Sequence, residues 1–368
     1  MNPNDNDIDE IRFDDENLKN YDIKKLVGNG EFCDVYKAIN RINGQVVALK
    51  RLKMRRIQNG QTRMECMREI LVLRRLNHSN IIKHLDSFYA HNEIYMVLEY
   101  ADAGDLSKMI RYLRVNNKLL SEMAILNYFT QICEALDYMH SKFIMHRDIK
   151  PANVLVMQNH TVKLADFGFS RLISSNTENV ITVVGTPYYM APERHFQLKY
   201  SFSADIWSMG CLLYELIMLY PPFYETNQHI NMLIKKITDL DYKPIDSTLY
   251  SNGIRQIINN CLRLSPIERL NIQQILEMIR LIQSSHNNEQ QNNNNNNDID
   301  FNLILTRQRS KSLGNQIKND DDNNNNNNND DDEMDSIKQI QSSSTSSSSS
   351  SSSSFGLKKI YKNIKNMF

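Results

Sequence analysis

The chain has 368 residues, and its 43 basic side chains balance its 43 acidic ones, so the formal net charge at pH 7 is zero. This balance argues against a nucleic-acid-binding protein, which would need a cationic surface to neutralise phosphates. Five cysteines without a C-x-x-C pair argue against a zinc ribbon and a disulfide framework, and they favour a reducing compartment such as the cytoplasm.

Composition divides the chain into four parts. Residues 1–20 are rich in Asp and Asn and are expected to be disordered. Residues 21–282 have a globular composition, whereas residues 283–354 are largely Asn, Asp and Ser and bury too little apolar surface to fold. Residues 355–368 have the spacing of a short basic amphipathic helix, which would bind an anionic membrane or a partner groove; a frayed terminus is the interpretation we favour.

The first part of the globular region has the features of strands. Val35–Ile39 and Val46–Lys50 flank Asn43-Gly44, a pair typical of hairpin turns. Residues 94–100 predict another strand, and between them a capping box of Thr62 and Glu65 predicts a helix that runs to about residue 76.

Beyond Asp105 the pattern is helical, with helices expected over 106–115, 121–141, 204–220, 227–238 and 254–263. The most apolar stretch, 206–220, is interrupted by Ser208, Gly210 and Glu215, so it predicts a buried helix and not a membrane span. Strands followed by helices predict an α+β fold with a small β-rich lobe, about 21–100, and a larger helical lobe, about 101–282. The cleft between the lobes is the expected ligand site.

The strongest chemical signal is H-R-D-I-K-P-A-N at residues 146–153, followed by D-F-G at 166–168. Asp148 is placed to accept a proton from a hydroxyl, and Lys150 to neutralise charge on a transferring phosphoryl group. Asn153 and Asp166 offer the oxygen ligands that a hard divalent ion prefers. A charged surface loop would explain H-R-D alone, but the D-F-G at this spacing strongly disfavours that alternative.

Two features of the small lobe fit a nucleotide site. Gly28 and Gly30 lie in a loop between predicted strands, where glycines let the backbone approach phosphates, although a plain turn would also fit. Lys50 ends an otherwise apolar strand, and Glu69 precedes an apolar run on the predicted helix. Inward-facing charges at such places need partners, so we expect the two to pair.

Together these stretches resemble the protein kinases of the serine/threonine type, and the cofactors that the resemblance implies are ATP and Mg²⁺. It implies that Lys50 holds the α- and β-phosphates, Leu98 lines the back of the nucleotide pocket, and the backbone from Glu99 to Ala101 binds the adenine edge. Ala48 belongs to the same V-A-L-K strand. In the glycine-rich loop Cys33 replaces the third glycine. The loop residues implied in nucleotide binding are Val27, Gly28, Asn29, Gly30, Glu31, Phe32, Cys33, Asp34 and Val35.

The same resemblance implies supporting roles outside the chemistry. Thr186, in G-T-P-Y-Y, would hydrogen-bond toward the catalytic loop, and Glu193, in A-P-E, would form a buried ion pair with Arg269. Asp205 would anchor the backbone of the catalytic loop. Arg147 precedes the catalytic Asp, and kinases with an Arg there are commonly activated by a phosphate in the activation loop, which an upstream kinase would add. Thr182 is the candidate for that phosphate; an ordinary loop hydroxyl remains the alternative.

Within the kinases the chain is most similar to the NIMA-related (never-in-mitosis-A) family, in particular its short members. The matching stretches are 76–83, 99–107, 145–154 and 184–194, within a similarity that covers residues 21–282. The family implies protein substrates, roles in mitosis and microtubule organisation, and a location in the cytoplasm, the nucleus or at the centrosome and spindle. Those roles are analogy only.

Two alternatives to an active protein kinase stay open at this point. A catalytically silent kinase-fold scaffold usually lacks at least one essential residue, and here Lys50, Glu69, Asp148, Asn153 and Asp166 are all present. A small-molecule phosphotransferase of similar fold would not need the G-T-P-Y-Y and A-P-E segments, which build a platform for peptides.

Overall fold

A computed structural model of the chain describes residues 12–13, 16–30, 33–54, 70–71, 73–166, 187–195, 201–226 and 228–292. All of them belong to residues 1–296, the first of the two units into which the chain divides. Most of the helix predicted from Thr62 and the segment 355–368 lie outside the described residues. Within them, the α+β fold with a β-rich lobe followed by a helical lobe is confirmed.

The small lobe is built on one sheet with the order β1-β5-β6-β4-β3-β2. All neighbouring pairs are antiparallel except β1 with β5. Ala48 lies opposite Leu98 and Lys50 lies opposite Met96, so the β4–β6 register brings the predicted nucleotide-site residues side by side. The strands are β1 Arg12–Phe13, β2 Tyr21–Asn29, β3 Cys33–Asn40, β4 Val46–Leu52, β5 His84–Ala90 and β6 Glu93–Glu99.

Two hairpin turns of the sheet follow different rules. The predicted turn at Asn43-Gly44 joins β3 to β4, and Gly44 has a φ of 72°, the left-handed region in which glycine is unstrained. The β5–β6 turn instead uses His91 and Asn92, with φ of 51° and 63°. Two consecutive left-handed residues give the twist that a two-residue hairpin needs. This hairpin was not predicted, because His-Asn is a weak turn signal.

The large lobe contains α1 Leu106–Val115, α2 Glu122–Ser141, the short α3 Pro192–His195, α4 Phe202–Met218, α5 Ile230–Asp239, α6 Asn252–Cys261 and α7 Ile272–Asn292. A two-stranded sheet, β7 Val154–Val156 with β8 Val162–Leu164, lies beside the catalytic loop. Asp105 and Ser121 accept hydrogen bonds from first-turn backbone N–H groups of α1 and α2. These caps explain why the two helix starts agree with the prediction to within one residue.

Helix α4 is the centre of the large lobe and is buried along almost its whole length. A Cβ atom added to Gly210 would lie 2.6 Å from the Cβ of Cys261, closer than two carbons can approach. Gly210 therefore allows α4 and α6 to pack against each other. The prediction of a buried helix here is correct, and no helix in the described part of the chain is long and apolar enough to cross a membrane.

Two expectations of disorder are wrong for part of their range. Within residues 1–20, Arg12–Phe13 pair in parallel with Phe88 and Tyr89, and Leu18 packs against the core of the small lobe. That core includes the stacked rings of Tyr21, Phe88 and Tyr95. The composition of 1–20 is polar on average, but the strand pairing and the contact of Leu18 with the core hold part of this segment against the sheet.

At the other end of the globular region, helix α7 was not predicted, and it continues past residue 282 to Asn292. Ile275, Ile279 and Ile282 bury its apolar face, and Nε2 of His286 lies 3.3 Å from Oε1 of Glu122 on α2. Propagation of an existing helix costs far less than its nucleation, so polar residues can extend it.

Candidate active site

The catalytic loop, residues 146–153, connects α2 to β7 and places three predicted residues together. Nδ2 of Asn153 donates to Oδ2 of Asp148 at 2.8 Å and to its main-chain oxygen at 2.7 Å. Nζ of Lys150 lies 3.0 Å from the same Oδ2. The Asp148 side chain is 29% exposed. A carboxylate held by an amide and an ammonium, and still open to solvent, can accept a proton from an incoming hydroxyl.

Asp205 on α4 holds this loop from below, the position that was expected of it. Its fully buried carboxylate accepts hydrogen bonds from the backbone N–H of His146 at 3.0 Å and of Arg147 at 2.9 Å, and Nε2 of His140 lies 3.0 Å away. Burial opposes its ionisation, but these donors outweigh burial and lower the pKa of Asp205. Arg147 has a φ of 70°, so the carboxylate stabilises a strained backbone next to Asp148.

Lys50 on β4 and Asp166 after β8 meet across the cleft, with Nζ of Lys50 2.5 Å from Oδ1 of Asp166. The ammonium of Lys50 lowers the pKa of Asp166. Burial disfavours the charged lysine, but the Asp166 carboxylate outweighs that cost and raises the pKa of Lys50. Both groups are therefore charged at neutral pH. The expected partner of Lys50, Glu69, lies outside the described residues.

The residues expected to hold Mg²⁺ have suitable chemistry for it. Nδ2 of Asn153 is used by Asp148, which leaves Oδ1 as the atom of that amide available to a cation. Asp166 is ionised, and its side chain is 48% exposed toward the cleft. Amide and carboxylate oxygens are the ligands that Mg²⁺ takes, and it usually completes its coordination with water and substrate phosphates. The two residues fit the ion.

The glycine-rich loop joins β2 to β3. A hydrogen bond of 2.8 Å from the N–H of Gly30 to the carbonyl of Cys33 links the two sides of this loop. Lys53 donates to the carbonyl of Gly30 at 2.8 Å and lies 2.7 Å from Asp34. Arg51 contacts the other oxygen of Asp34 at 2.5 Å. These two cations outweigh the effect of burial and lower the pKa of Asp34. The structure thus uses Asp34 to fix the loop to β4, a contact that the sequence analysis missed.

The connection between the lobes carries Leu98 and Glu99. The N–H of Glu99 donates to the carbonyl of Lys83 at 2.9 Å, and Nζ of Lys163 in β8 lies 2.9 Å from the Glu99 carboxylate. Glu99 therefore joins the two lobes through its side chain, and the half-buried Ala101 follows two residues later. The ion pair with Lys163 was not predicted, because 64 residues separate the partners.

The back of the cleft is a small cavity of about 20 Å³, the space of one water, lined by residues that include Lys50, His84, Leu98 and Asp166. Nε2 of His84 is buried and makes no hydrogen bond within the described residues. Burial lowers the pKa of His84 to about 4, so the imidazole is neutral at pH 7. The cavity is too small for a purine.

The segment after the activation loop is held firmly on α4. Tyr189 donates to the carboxylate of Glu215, and Ser208 donates to the carbonyl of Tyr189 at 2.8 Å. Burial raises the pKa of Glu215 to about 7. The Tyr189–Glu215 contact was not predicted, although a glutamate within the apolar run of α4 indicates a buried polar partner.

Beside this segment, Arg269 makes two parallel contacts of 2.7 Å with the carboxylate oxygens of Glu193. The side chains are 0% and 3% exposed, and Arg269 also donates to the carbonyl of Ser203. The pair therefore lies where it was expected. Five other predicted site residues are outside the described ranges and cannot be placed: Glu31, Phe32, Glu69, Thr182 and Thr186.

Comparison with known proteins agrees with the two-lobed fold and with the site described above. Residues 21–279 match the family model described as the protein kinase domain. A probable serine/threonine-protein kinase nek3 of Dictyostelium discoideum is 37% identical over 265 residues, 71% of this chain and 23% of its own length. Serine/threonine-protein kinase Nek3 of Mus musculus is 35% identical over 70% of this chain and 49% of its own. Nek2 of the same species is 34% identical over 71% of this chain and 59% of its own. The chain thus matches from about a quarter to three fifths of these relatives.

Proposed function

Since the chain belongs to the protein kinase family, and within it to the NIMA-related serine/threonine kinases, we propose that it transfers the γ-phosphate of ATP to Ser and Thr hydroxyls of protein substrates. The observation that carries this proposal is the hydrogen-bonded group of Asp148, Lys150 and Asn153 on one loop. It supplies a base, a counter-charge and a metal ligand in the order that in-line phosphoryl transfer uses.

The transfer step follows from these positions. The acceptor hydroxyl attacks the γ-phosphorus as its proton passes to Asp148, and the bond from that phosphorus to the β–γ bridging oxygen breaks to release ADP. Lys150 stabilises the negative charge on the transferring group. Lys50 holds the α- and β-phosphates from the opposite side of the cleft. Asn153 and Asp166 would hold Mg²⁺, which would supply neutralising charge to the nucleotide phosphates.

In this proposal the Lys50–Asp166 contact is exchanged when ATP binds. The two groups are charged and lie 2.5 Å apart, so each is pre-positioned for the opposite charge that arrives with the nucleotide and its metal. Lys50 would then contact phosphate oxygens, and the Asp166 carboxylate would be available to hold the ion. The contact keeps both side chains ionised and oriented while the cleft is without nucleotide.

The finer parts of the proposal concern regulation and biological role. Phosphorylation of Thr182, by an upstream kinase or in trans, would order the activation loop by pairing with Arg147. Family membership supports a role in mitosis or microtubule organisation, in the cytoplasm, the nucleus or at the centrosome and spindle. Comparing Thr182→Ala with the wild type, after incubation with ATP, tests the regulation: the proposal expects a loss of at least tenfold in kcat.

The experiment that tests the activity is transfer of labelled phosphate from ATP, with Mg²⁺, to a generic Ser/Thr substrate. The wild type should transfer phosphate, whereas Asp166→Ala and Asp148→Asn should reduce kcat by at least a hundredfold. Asp239→Asn, an exposed substitution at the end of α5, is the matched control. If the wild type and its Thr182-phosphorylated form both fail to transfer phosphate while they still bind nucleotide, the chain is a kinase-fold scaffold.

A further inference from the structure

The glycine-rich loop is followed by a buried carboxylate on the far side of the sheet from the cleft. In the β3–β4 register Val35 lies opposite Lys50, whereas Asp34 lies opposite Arg51. Successive side chains of a strand face opposite sides of a sheet, so the Asp34 side chain lies on the other side from Lys50. Only 7% of it is exposed. The Asp34 carboxylate is therefore buried away from the phosphates that Lys50 is proposed to hold.

Two cations share this carboxylate, and one of them also contacts the loop. Nη2 of Arg51 lies 2.5 Å from Oδ2 of Asp34, and the guanidinium lies 5.7 Å from the ring centre of Tyr36. Nζ of Lys53 lies 2.7 Å from Oδ1 of Asp34 and donates to the carbonyl of Gly30 at 2.8 Å. The Lys53 side chain is 16% exposed. Lys53 thus connects the carboxylate to the main chain of the loop, whereas Arg51 connects it to the sheet.

Both main-chain polar groups of Gly30 are held by hydrogen bonds. Its N–H donates to the carbonyl of Cys33 across the turn, and its carbonyl accepts from Lys53. Glycine has the widest range of backbone conformations, so outside contacts are needed to keep its peptide group in one orientation. Lysine has a flexible stem, and the buried Asp34 carboxylate keeps its ammonium in place. We call the contacts from Asp34 through Lys53 to Gly30 the loop latch.

We propose that Asp34 is a positioning residue for the phosphates of ATP, which acts through Lys53 and the carbonyl of Gly30; this inference rests on the proposed kinase function. In a trans peptide unit the carbonyl and the amide N–H point in opposite directions. The latch holds the Gly30 carbonyl on the Asp34 side of the sheet, so the N–H of the same peptide unit is turned to the cleft side. Backbone N–H groups in such loops are the donors that cradle phosphates.

The loop latch acts on the departure of the nucleotide more than on its arrival. A loop whose peptide group is already oriented makes its contacts to the phosphates without further ordering, and these contacts have to break before the nucleotide leaves. Loss of the latch should therefore raise the dissociation rate constant and leave association nearly unchanged. A charge that only attracts the nucleotide through solvent would do the reverse, because it changes the association rate and its dependence on salt.

Stopped-flow fluorescence with mant-ADP and Mg²⁺ on the full chain measures both rate constants without catalysis. Asp34→Asn and Lys53→Met should each raise the dissociation rate constant about tenfold, the effect of losing one hydrogen bond to a charged group. The double variant should dissociate no faster than Lys53→Met, because both substitutions act through one contact. Asp34→Glu keeps the charge and should restore most of the slow dissociation. If Asp34→Asn does not fold, Lys53→Met, at the end of β4, gives the same test.

Asp22→Asn is the matched control for charge and for the small lobe. Asp22 on β2 also lies between a lysine and an arginine, with Nζ of Lys24 at 2.6 Å and Nη2 of Arg41 at 3.9 Å. Its replacement removes the same charge at the other end of β2 and should change neither rate constant. Arg51→Met takes the second cation from Asp34 but leaves the Lys53 contact, so its effect on dissociation should be much smaller than that of Lys53→Met. Thermal unfolding identifies any variant that is not folded.

The outcomes separate this inference from the kinase activity itself. Phosphate transfer by the wild type, with unchanged mant-ADP dissociation in Asp34→Asn and Lys53→Met, would overturn the latch and retain the proposed function. Slower association with unchanged dissociation, or equal effects of Lys53→Met and Arg51→Met, would also overturn it, because either result indicates attraction by charge alone. Faster dissociation in the two latch variants, without phosphate transfer by the wild type, would retain the latch and reject the proposed function. No binding of mant-ADP by the wild type would reject both.

Discussion

Replacing Asp205 by Asn changes one atom in the support beneath the catalytic loop. Oδ1 of Asp205 accepts from Arg147 N–H, and Oδ2 accepts from His146 N–H and lies 3.0 Å from Nε2 of His140. An Asn side chain has a single oxygen, so its NH₂ group must face at least one backbone N–H. One or two hydrogen bonds to a buried charge are lost, and a donor–donor contact replaces one of them.

The magnitude follows from these contacts. A hydrogen bond to a charged group contributes about 1.5–3 kcal/mol, so Asp205→Asn should lower the free energy of unfolding by roughly 2–4 kcal/mol. A domain of this kind has a total stability of about 5–15 kcal/mol, so the variant should still fold at 25 °C. The backbone of Arg147, with its φ of 70°, loses the contact that holds it and shifts the adjacent Asp148. A displacement near 1 Å can cost about a hundredfold in rate, and we expect kcat to fall about 10- to 100-fold.

Two assays read out this prediction. Urea unfolding followed by fluorescence gives the change in stability, and single-turnover transfer from ATP gives the rate in the folded variant. Asp239→Asn makes the same chemical change at an exposed position and should alter neither quantity. The reasoning would be refuted by a loss below 1 kcal/mol together with a rate within threefold of the wild type.

Three further predictions concern stability. Glu193→Gln should cost about 3–5 kcal/mol because it leaves Arg269 buried without its counter-charge, and a double-mutant cycle with Arg269→Met should show strong coupling; additive effects would contradict the contact. Burial lowers the pKa of His84 and of His195 to about 4, so the unfolded chain binds more protons between about pH 6.5 and pH 4, and stability should fall as the pH falls through that window. Replacing either histidine by Phe should reduce the loss of unfolding free energy between pH 7 and pH 4.5 by roughly 1–3 kcal/mol, as measured by urea unfolding. An unchanged dependence of stability on pH would show that this histidine does not have the lowered pKa. Leu18→Ala should lower the free energy of unfolding by about 1–2 kcal/mol, measured by thermal unfolding, because Leu18 packs against the core of the small lobe. An unchanged stability would show that the segment before β2 does not contribute to that core.

Local sequence was sufficient where a local interaction decides the structure. The starts of α1 and α2 were predictable because Asp105 and Ser121 cap them, and β3 and β4 because a glycine turn separates two apolar runs. The strand β5 and its turn at His91 and Asn92 were not predicted. Neither residue is a strong turn former, and their left-handed conformation is stabilised by the pairing of strands on both sides.

The candidate site likewise combines residues that are close in sequence with residues that only the fold brings together. Asp148, Lys150 and Asn153 are within six residues of one another, so the sequence alone determined which chemistry the loop can perform. The support by Asp205 and the Glu193–Arg269 pair were inferred from family resemblance, since no local pattern connects residues so far apart. The partners of Asp34 and the contact of Tyr189 with Glu215 were found only in the structure.

The sequence by itself therefore determined the kind of fold, the limits of the capped helices and the reactive side chains, because each depends on residues close together along the chain. Only the tertiary structure decided that Lys50 meets Asp166 across 116 positions and that the segment around Leu18 packs against the core of the small lobe. These contacts depend on how the lobes and helices pack. Packing is a cooperative property of the whole core, and no window of the sequence records it.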